Sequence, residues 1–161
     1  MTRNHPSLRL TAALLSLLLL LSLFPVAAQA ATSGGFEYTV NSDGTASITK
    51  YTGSEVHVTV PGTIDGYPVY RVCGDTFDDL DNIESITFSE GIVVLDSWTI
   101  AYCNSLIRVN FPSTLSYLDQ PVAFCTSFQE VSFPNGSPYF VAKDNVVYSS
   151  DRSAAVSRRD G

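Results

Sequence analysis

Apolar positions along this chain recur at a nearly fixed interval. Phe77, Leu80, Ile83, Ile86, Phe88, Ile92 and Leu95 return 23 residues later as Ile100, Cys103, Leu106, Val109, Phe111, Leu115 and Leu118. The first five positions return again after 22 residues, as Val122, Cys125, Phe128, Val131 and Phe133. A period of this size marks a solenoid, in which each repeat buries its apolar side against its neighbours. The predicted fold is mainly β, a solenoid of about four repeats with short helical or irregular return segments and an N-terminal β-hairpin cap.

Within a repeat the pattern changes character. Ser85–Phe88, Arg108–Phe111 and Glu130–Phe133 alternate polar and apolar residues, which predicts short strands with Ile86, Val109 and Val131 turned inward. Pro112 and Pro134 close their strands, where a missing N–H costs little. Phe77, Leu80 and Ile83 are three apart, so Asp75–Ile83 and its equivalents are read as single helical turns or irregular returns. Val56, Val58 and Val60 begin a divergent first repeat, and Asp65-Gly66-Tyr67-Pro68 reads as a turn inserted into it.

The outward strand residues fall into two columns. One contains His57, Ser85, Arg108 and Glu130, and the other Thr59, Thr87, Asn110 and Ser132. Neighbouring strands stand ~4.8 Å apart, so the columns form one continuous strip, the candidate binding surface. A polar strip is also what the wet side of any sheet looks like.

Both ends of the array read as hairpins. Phe36, Tyr38 and Val40 alternate before Asp43-Gly44, and Ala46, Ile48 and Tyr51 follow, a hairpin pattern suited to capping the stack. Asp144-Asn145 between Phe140-Val141 and Val146-Val147-Tyr148 predicts a second hairpin with a primed turn. The expected organisation is a leader at 1–30, a spacer at 31–35, the hairpin cap at 36–55, the solenoid at 56–138, a closing hairpin at 139–151 and a weakly ordered tail at 152–161.

The first thirty residues change the setting. Arg3 and Arg9 precede an uncharged, leucine-dense run from Leu10 to Phe24, then Pro25 and Ala28-Gln29-Ala30. This is the pattern of an export signal cut after Ala30, and the run is shorter than the ~20 residues a membrane span needs. No membrane span is expected after cleavage. The leader carries two of the nine basic residues and none of the sixteen acidic ones, so seven basic groups face sixteen acidic ones beyond it. No basic patch stands out to neutralise phosphates, which argues against nucleic acid and anionic membrane surfaces. Cys73, Cys103 and Cys125 are an odd count for an exported chain. Cys103 and Cys125 share the repeat position of Leu80, so both are expected to be buried, adjacent and reduced, as small apolar filling.

The segment Ile100-Ala-Tyr-Cys-Asn-Ser-Leu-Ile-Arg-Val-Asn-Phe-Pro-Ser-Thr-Leu-Ser-Tyr-Leu118 resembles the BspA-type leucine-rich repeats. Three repeats carry the pattern and the first carries about half. The stretches from Asp43 to Gly53, Val60 to Val69 and Lys143 to Asp151 are similar to the family's lead-in and inter-repeat hairpin, and the likeness extends over 36–151. Ser89 stands where the family has proline, and Trp98-Thr99-Ile100 replaces its usual Ala-Phe. The resemblance implies a leucine-rich-repeat-like solenoid in an exported bacterial surface protein, used in adhesion or protein binding, with no catalytic residues to carry over.

The chemical inventory agrees with a non-enzymatic reading. His57 is the only histidine beyond the leader and lies between core valines, with no nucleophile and orienting acid placed by any motif. The cysteines lack Cys-x-x-Cys spacing. Asp75, Asp78, Asp79 and Asp81 lack the glycine and closing glutamate of a calcium loop and read as a solvated bend. No catalytic residue, metal site or cofactor is expected. The expected function is an exported module contacting a protein or glycan ligand at a bacterial cell surface, secreted or retained there. The alternative is a structural spacer, or an accessory N-terminal region of a longer protein.

Overall fold

The computed structural model describes residues 30–150 and the backbone of residues 155–157. The leader expected at 1–30 lies outside the described residues apart from Ala30. The chain forms β1 (Ala30–Ser33), β2 (Phe36–Val40), β3 (Ala46–Tyr51), β4 (His57–Val60), β5 (Thr63–Ile64), β6 (Tyr67–Val72), β7 (Phe77–Asp78), β8 (Ser85–Phe88) and β9 (Val94–Leu95). It continues through β10 (Ile100–Ala101), β11 (Arg108–Asn110), β12 (Tyr117–Leu118), β13 (Val122–Ala123), β14 (Glu130–Ser132), β15 (Phe140–Lys143), β16 (Val146–Ser149) and β17 (Ala155–Ser157).

The strands stack into a coil with three faces. The first face is the parallel sheet β4, β8, β11 and β14, in which Val58, Ile86, Val109 and Val131 occupy one register position. The second contains β6, β9 and β12, with Val72, Leu95 and Leu118 in line. The third contains β7, β10 and β13, with Phe77, Ile100 and Val122 in line. Every residue just named is buried, as the repeat pattern predicts. Removing such side chains from water contributes ~1.5–3 kcal/mol each for the larger ones.

Aromatic rings run through this core from end to end. Phe36 and Tyr51 meet at 5.0 Å, Tyr51 and Phe77 at 5.4 Å, and Phe77 and Phe88 at 6.4 Å. Phe88, Phe111, Phe133 and Phe140 continue at 5.8, 5.5 and 6.0 Å. The repeat therefore positions Phe88, Phe111 and Phe133 where each ring can pack on the next, which adds to simple burial.

Of the two forms expected for the return segments, single helical turns or irregular returns, the structure has the irregular one. No helix occurs among the described residues. The spacing of three arises instead from a short strand followed by one turn, closed where Ile83, Leu106 and Phe128 donate N–H bonds to Leu80, Cys103 and Cys125 carbonyls. Asp75 and Asp79 have φ of 57° and 55°, which stops any helical run on either side of Phe77.

The cap also exceeds expectation. Residues 31–35, read as a spacer, form most of β1 and the Gly34-Gly35 turn that pairs β1 with β2. Both glycines have positive φ, 56° and 80°, as a two-residue primed turn needs, so this pair is a hairpin signal. The predicted β2–β3 hairpin is present, and β3 runs parallel to β6, which makes the cap continuous with the second face. Asp65 fastens it, accepting bonds from Ser33 at 2.8 Å and Tyr38 at 2.7 Å. The Tyr38 bond is the main cause holding the Asp65 carboxyl below its usual range.

At the other end β15 and β16 pair across Asp144-Asn145, both left-handed at 52° and 61°. The backbone of β17 adds a third antiparallel strand to β16. Residues 155–157 thus depart from the weakly ordered tail expected at 152–161, whose remainder lies outside the described residues.

Candidate functional site

The outward columns of the first face are where their alternation places them. His57 aligns with Ser85, Arg108 and Glu130, and Thr59 with Thr87, Asn110 and Ser132. His57, Thr59, Arg108 and Glu130 are exposed, while Ser85, Thr87, Asn110 and Ser132 are half-buried. The strip is largely paired with itself. Asn110 donates to Thr87 Oγ1 at 3.1 Å and accepts from Ser132 at 2.8 Å. His57 Nδ1 and Ser85 Oγ lie 3.1 Å apart, and Arg108 and Glu130 form an ion pair at 3.4 Å. What one rung offers, the next rung takes up.

The corner between the first and second faces is also polar and satisfied. Glu90 accepts from Ser113 N–H at 3.1 Å, Ser113 Oγ at 2.8 Å and Thr114 N–H at 3.3 Å. It also accepts from Asn135 at 2.9 Å, so one carboxylate ties its own coil to the next two. Asn135 first, then the Ser113 N–H, pull its pKa from 4.5 to about 2.

A different surface borders the third face. Trp98, Tyr102 and Phe124 are exposed at 43%, 46% and 45%, yet they contact one another. Tyr102 and Phe124 stack at 5.0 Å and 10°, and Trp98 meets Phe124 edge-on at 5.8 Å. All three have positive φ, 58°, 53° and 55°. Bulky residues rarely adopt this region, and holding one there costs on the order of 1–3 kcal/mol. Their N–H and C=O groups explain the geometry. Trp98 donates to the Gln120 carbonyl and accepts from Asp75, and Tyr102 donates to the Ala123 carbonyl. The left-handed residues thus link successive coils.

These aromatics are missing from the strip read from the sequence, although the repeat marks them. Asp75, Trp98 and Gln120 share one position, and Asp79, Tyr102 and Phe124 share another. All six have positive φ. Asp75 and Asp79, where the columns begin, disguise them as polar bends.

The cysteines are free, with Cys103 and Cys125 buried and Cys73 half-buried. Cys103 and Cys125 donate to the Ala101 and Ala123 carbonyls at 3.4 and 3.3 Å. Contact with Cys125 and burial push the Cys103 thiol up, which favours the protonated, apolar form expected of column filling. Among the described residues no three His, Cys, Asp or Glu side chains converge to hold a metal ion. No helix there is long and apolar enough to cross a membrane.

The family described as the BspA type leucine rich repeat region matches residues 62–147 in six copies. No curated protein matches the chain. Among solved structures, a leucine-rich repeat protein from Bacteroides capillosus is similar at 20% identity and TM-score 0.45, covering 65% of this chain and 88% of that one. A leucine-rich repeat protein from T. pallidum aligns at 19% identity and TM-score 0.43, covering 65% of this chain and 54% of the other. A leucine-rich cell surface protein from Faecalibacterium prausnitzii aligns at 16% identity and TM-score 0.33, covering 76% and 59%. The family match spans more than half of the sequence and coincides with the repeating coil: this chain belongs to the BspA-type leucine-rich repeat family.

Proposed function

We propose that this chain is an exported binding module that holds a protein ligand at a bacterial cell surface, in an adhesive role. The observation that carries this reading is the four-rung parallel sheet, whose equivalent side chains form a continuous strip from His57 to Ser132. A surface built by repetition suits an extended partner better than a small substrate, and the leader supplies the route outward. A glycan is the other ligand class such a strip admits. Immobilised host matrix proteins and a glycan array, probed with the chain lacking its leader, test the reading. Saturable binding to a matrix protein is the expected result, and binding to neither set overturns it.

A second reading has an observation of its own. The bonds joining Thr87, Asn110 and Ser132, and the Arg108–Glu130 pair, satisfy the strip internally. A strip satisfied in this way suits a stiff spacer, or an accessory region of a longer protein, presenting some other domain. Unchanged matrix binding after joint replacement of Arg108 and Asn110 by alanine favours that use of the first face.

A further inference from the structure

We infer that the Trp98–Tyr102–Phe124 cluster is a docking site for a lysine- or arginine-bearing segment of a protein partner. The inference rests on the protein-binding reading above and moves the contact from the strand strip to the border of the third face. Its basis is an exposed aromatic surface with acidic charge at its border.

The Phe124 ring contacts both Trp98 and Tyr102, while each of the three keeps over two-fifths of its surface in water. Aspartate occupies the two equivalent positions one coil earlier, so the positions themselves do not require aromatic rings.

Charge selects the occupant. Asp75 and Asp79 stand one rung before Trp98 and Tyr102 in the same two columns, which puts carboxylates along one edge of the rings. The side chains of Asp75, Asp78 and Asp79 are exposed and make no hydrogen bond or ion pair among the described residues. Asp81 and Asp119 are already engaged, by the Asn104 N–H and the Ser97 hydroxyl. Arg71 is held by Asp96 at 2.7 Å, and exposed Lys50 lies one rung before Asp75, so three unbonded carboxylates outnumber one lysine at this border. Aromatic faces attract cations through the ring quadrupole, and adjacent carboxylates add Coulomb attraction. A guanidinium suits both, since its plane stacks on a ring while its edge donates to oxygen. An acidic or purely apolar segment satisfies only part of this surface.

Trp98 is the only tryptophan in the chain, so its fluorescence reports on the site directly. The experiment titrates the leaderless chain with a Gly-Arg repeat peptide, a Gly-Glu repeat peptide and cellohexaose, each followed by Trp98 emission. Saturable change with the arginine peptide alone is expected, weakened about tenfold by joint Asp75→Asn and Asp79→Asn replacement. Phe124→Asn, which tolerates the left-handed backbone, should weaken it similarly while circular dichroism stays unchanged. A Lys143→Ala variant, changed at an exposed position of the closing hairpin, should respond as the parent does. No response to the arginine peptide, or one unaffected by the Asp75 and Asp79 replacements, overturns the inference. A response to cellohexaose in its place assigns the rings to a glycan and also overturns it. The two readings fail separately: matrix-protein binding that survives Phe124→Asn sinks this site and leaves the protein-binding function standing.

Discussion

The strip on the first face and the aromatic corner beside the third repeat with the same period but treat exposure oppositely. Along the strip, polar side chains turn sideways and bond to the next rung, as Ser132 does to Asn110 and Asn110 to Thr87. At the corner, Trp98, Tyr102 and Phe124 remain half in water on a left-handed backbone. The first arrangement spends bonding capacity on the fold. The second keeps apolar surface and unpaired carboxylates available. Periodicity alone cannot separate a column that stiffens from one that binds; bonding between rungs can.

The largest expected effect removes what both surfaces share. Phe111 follows Asn110 in sequence and its ring packs between Phe88 and Phe133. Phe111→Ala should cost about 3–5 kcal/mol, measured by urea unfolding. Hydrogen exchange should show β11 and the corner at Tyr102 losing protection together. Loss in β11 alone means the coil is not one cooperative unit and the two surfaces are independent.

A smaller change strikes the polar side only. A Cβ on Gly62 would collide with the carbonyl oxygen of Glu90 on the neighbouring coil. Gly62→Ala should therefore cost about 1–3 kcal/mol through overpacking. Because the corner lies elsewhere on the coil, Trp98 emission in the folded variant should match the parent.

The comparison sharpens when paired substitutions give different signs. Asn110→Ala removes two side-chain bonds at a half-buried position and should destabilise by about 1 kcal/mol. Trp98→Asn gives up the edge-on contact with Phe124 but relieves a bulky residue of its 58° φ. Its expected effect is neutral to about 1 kcal/mol stabilising, read from chemical unfolding by circular dichroism. Destabilisation by Trp98→Asn equal to that of Asn110→Ala assigns the corner a packing role like the strip's.

Much of this fold was legible in the residues. The 23- and 22-residue returns identify the inward columns, and Asp43-Gly44 and Asp144-Asn145 mark two of the turns. Gly34-Gly35 carries the same signal, but the strand before it, Ala30–Ser33, is short and weakly apolar, so by pattern alone the pair resembles a spacer. The residues leave the returns open between helical and irregular, because a spacing of three is shared by a helix and by a strand followed by one turn. Only the left-handed Asp75 and Asp79 separate the two. For the site, alternation correctly gives which residues face outward but says nothing of their partners. That Arg108 faces Glu130 follows from the repeat register; that Asn110 bridges Thr87 and Ser132 needs side-chain geometry. The aromatic corner was hidden because its columns begin with aspartates and end, in one case, with Gln120.

The smallest expected effect is a dependence on pH confined to the polar side. Glu90 is held at about 2, below its ordinary 4.5, by Asn135, Ser113 and Thr114. A carboxyl depressed in the folded state contributes stability that is fully present above the ordinary value. That contribution fades as pH falls from about 4.5 toward about 2. The group is exposed, so screening keeps the contribution below about 1 kcal/mol at neutral pH. Glu90→Gln should therefore unfold slightly more easily than the parent at pH 7. The gap between them should close as the solution is taken down to pH 2, followed by thermal melts of both proteins. A constant gap across that range means the Glu90 bonds carry no charge-dependent stability, and that the polar corner holds its coils by shape and neutral hydrogen bonds alone.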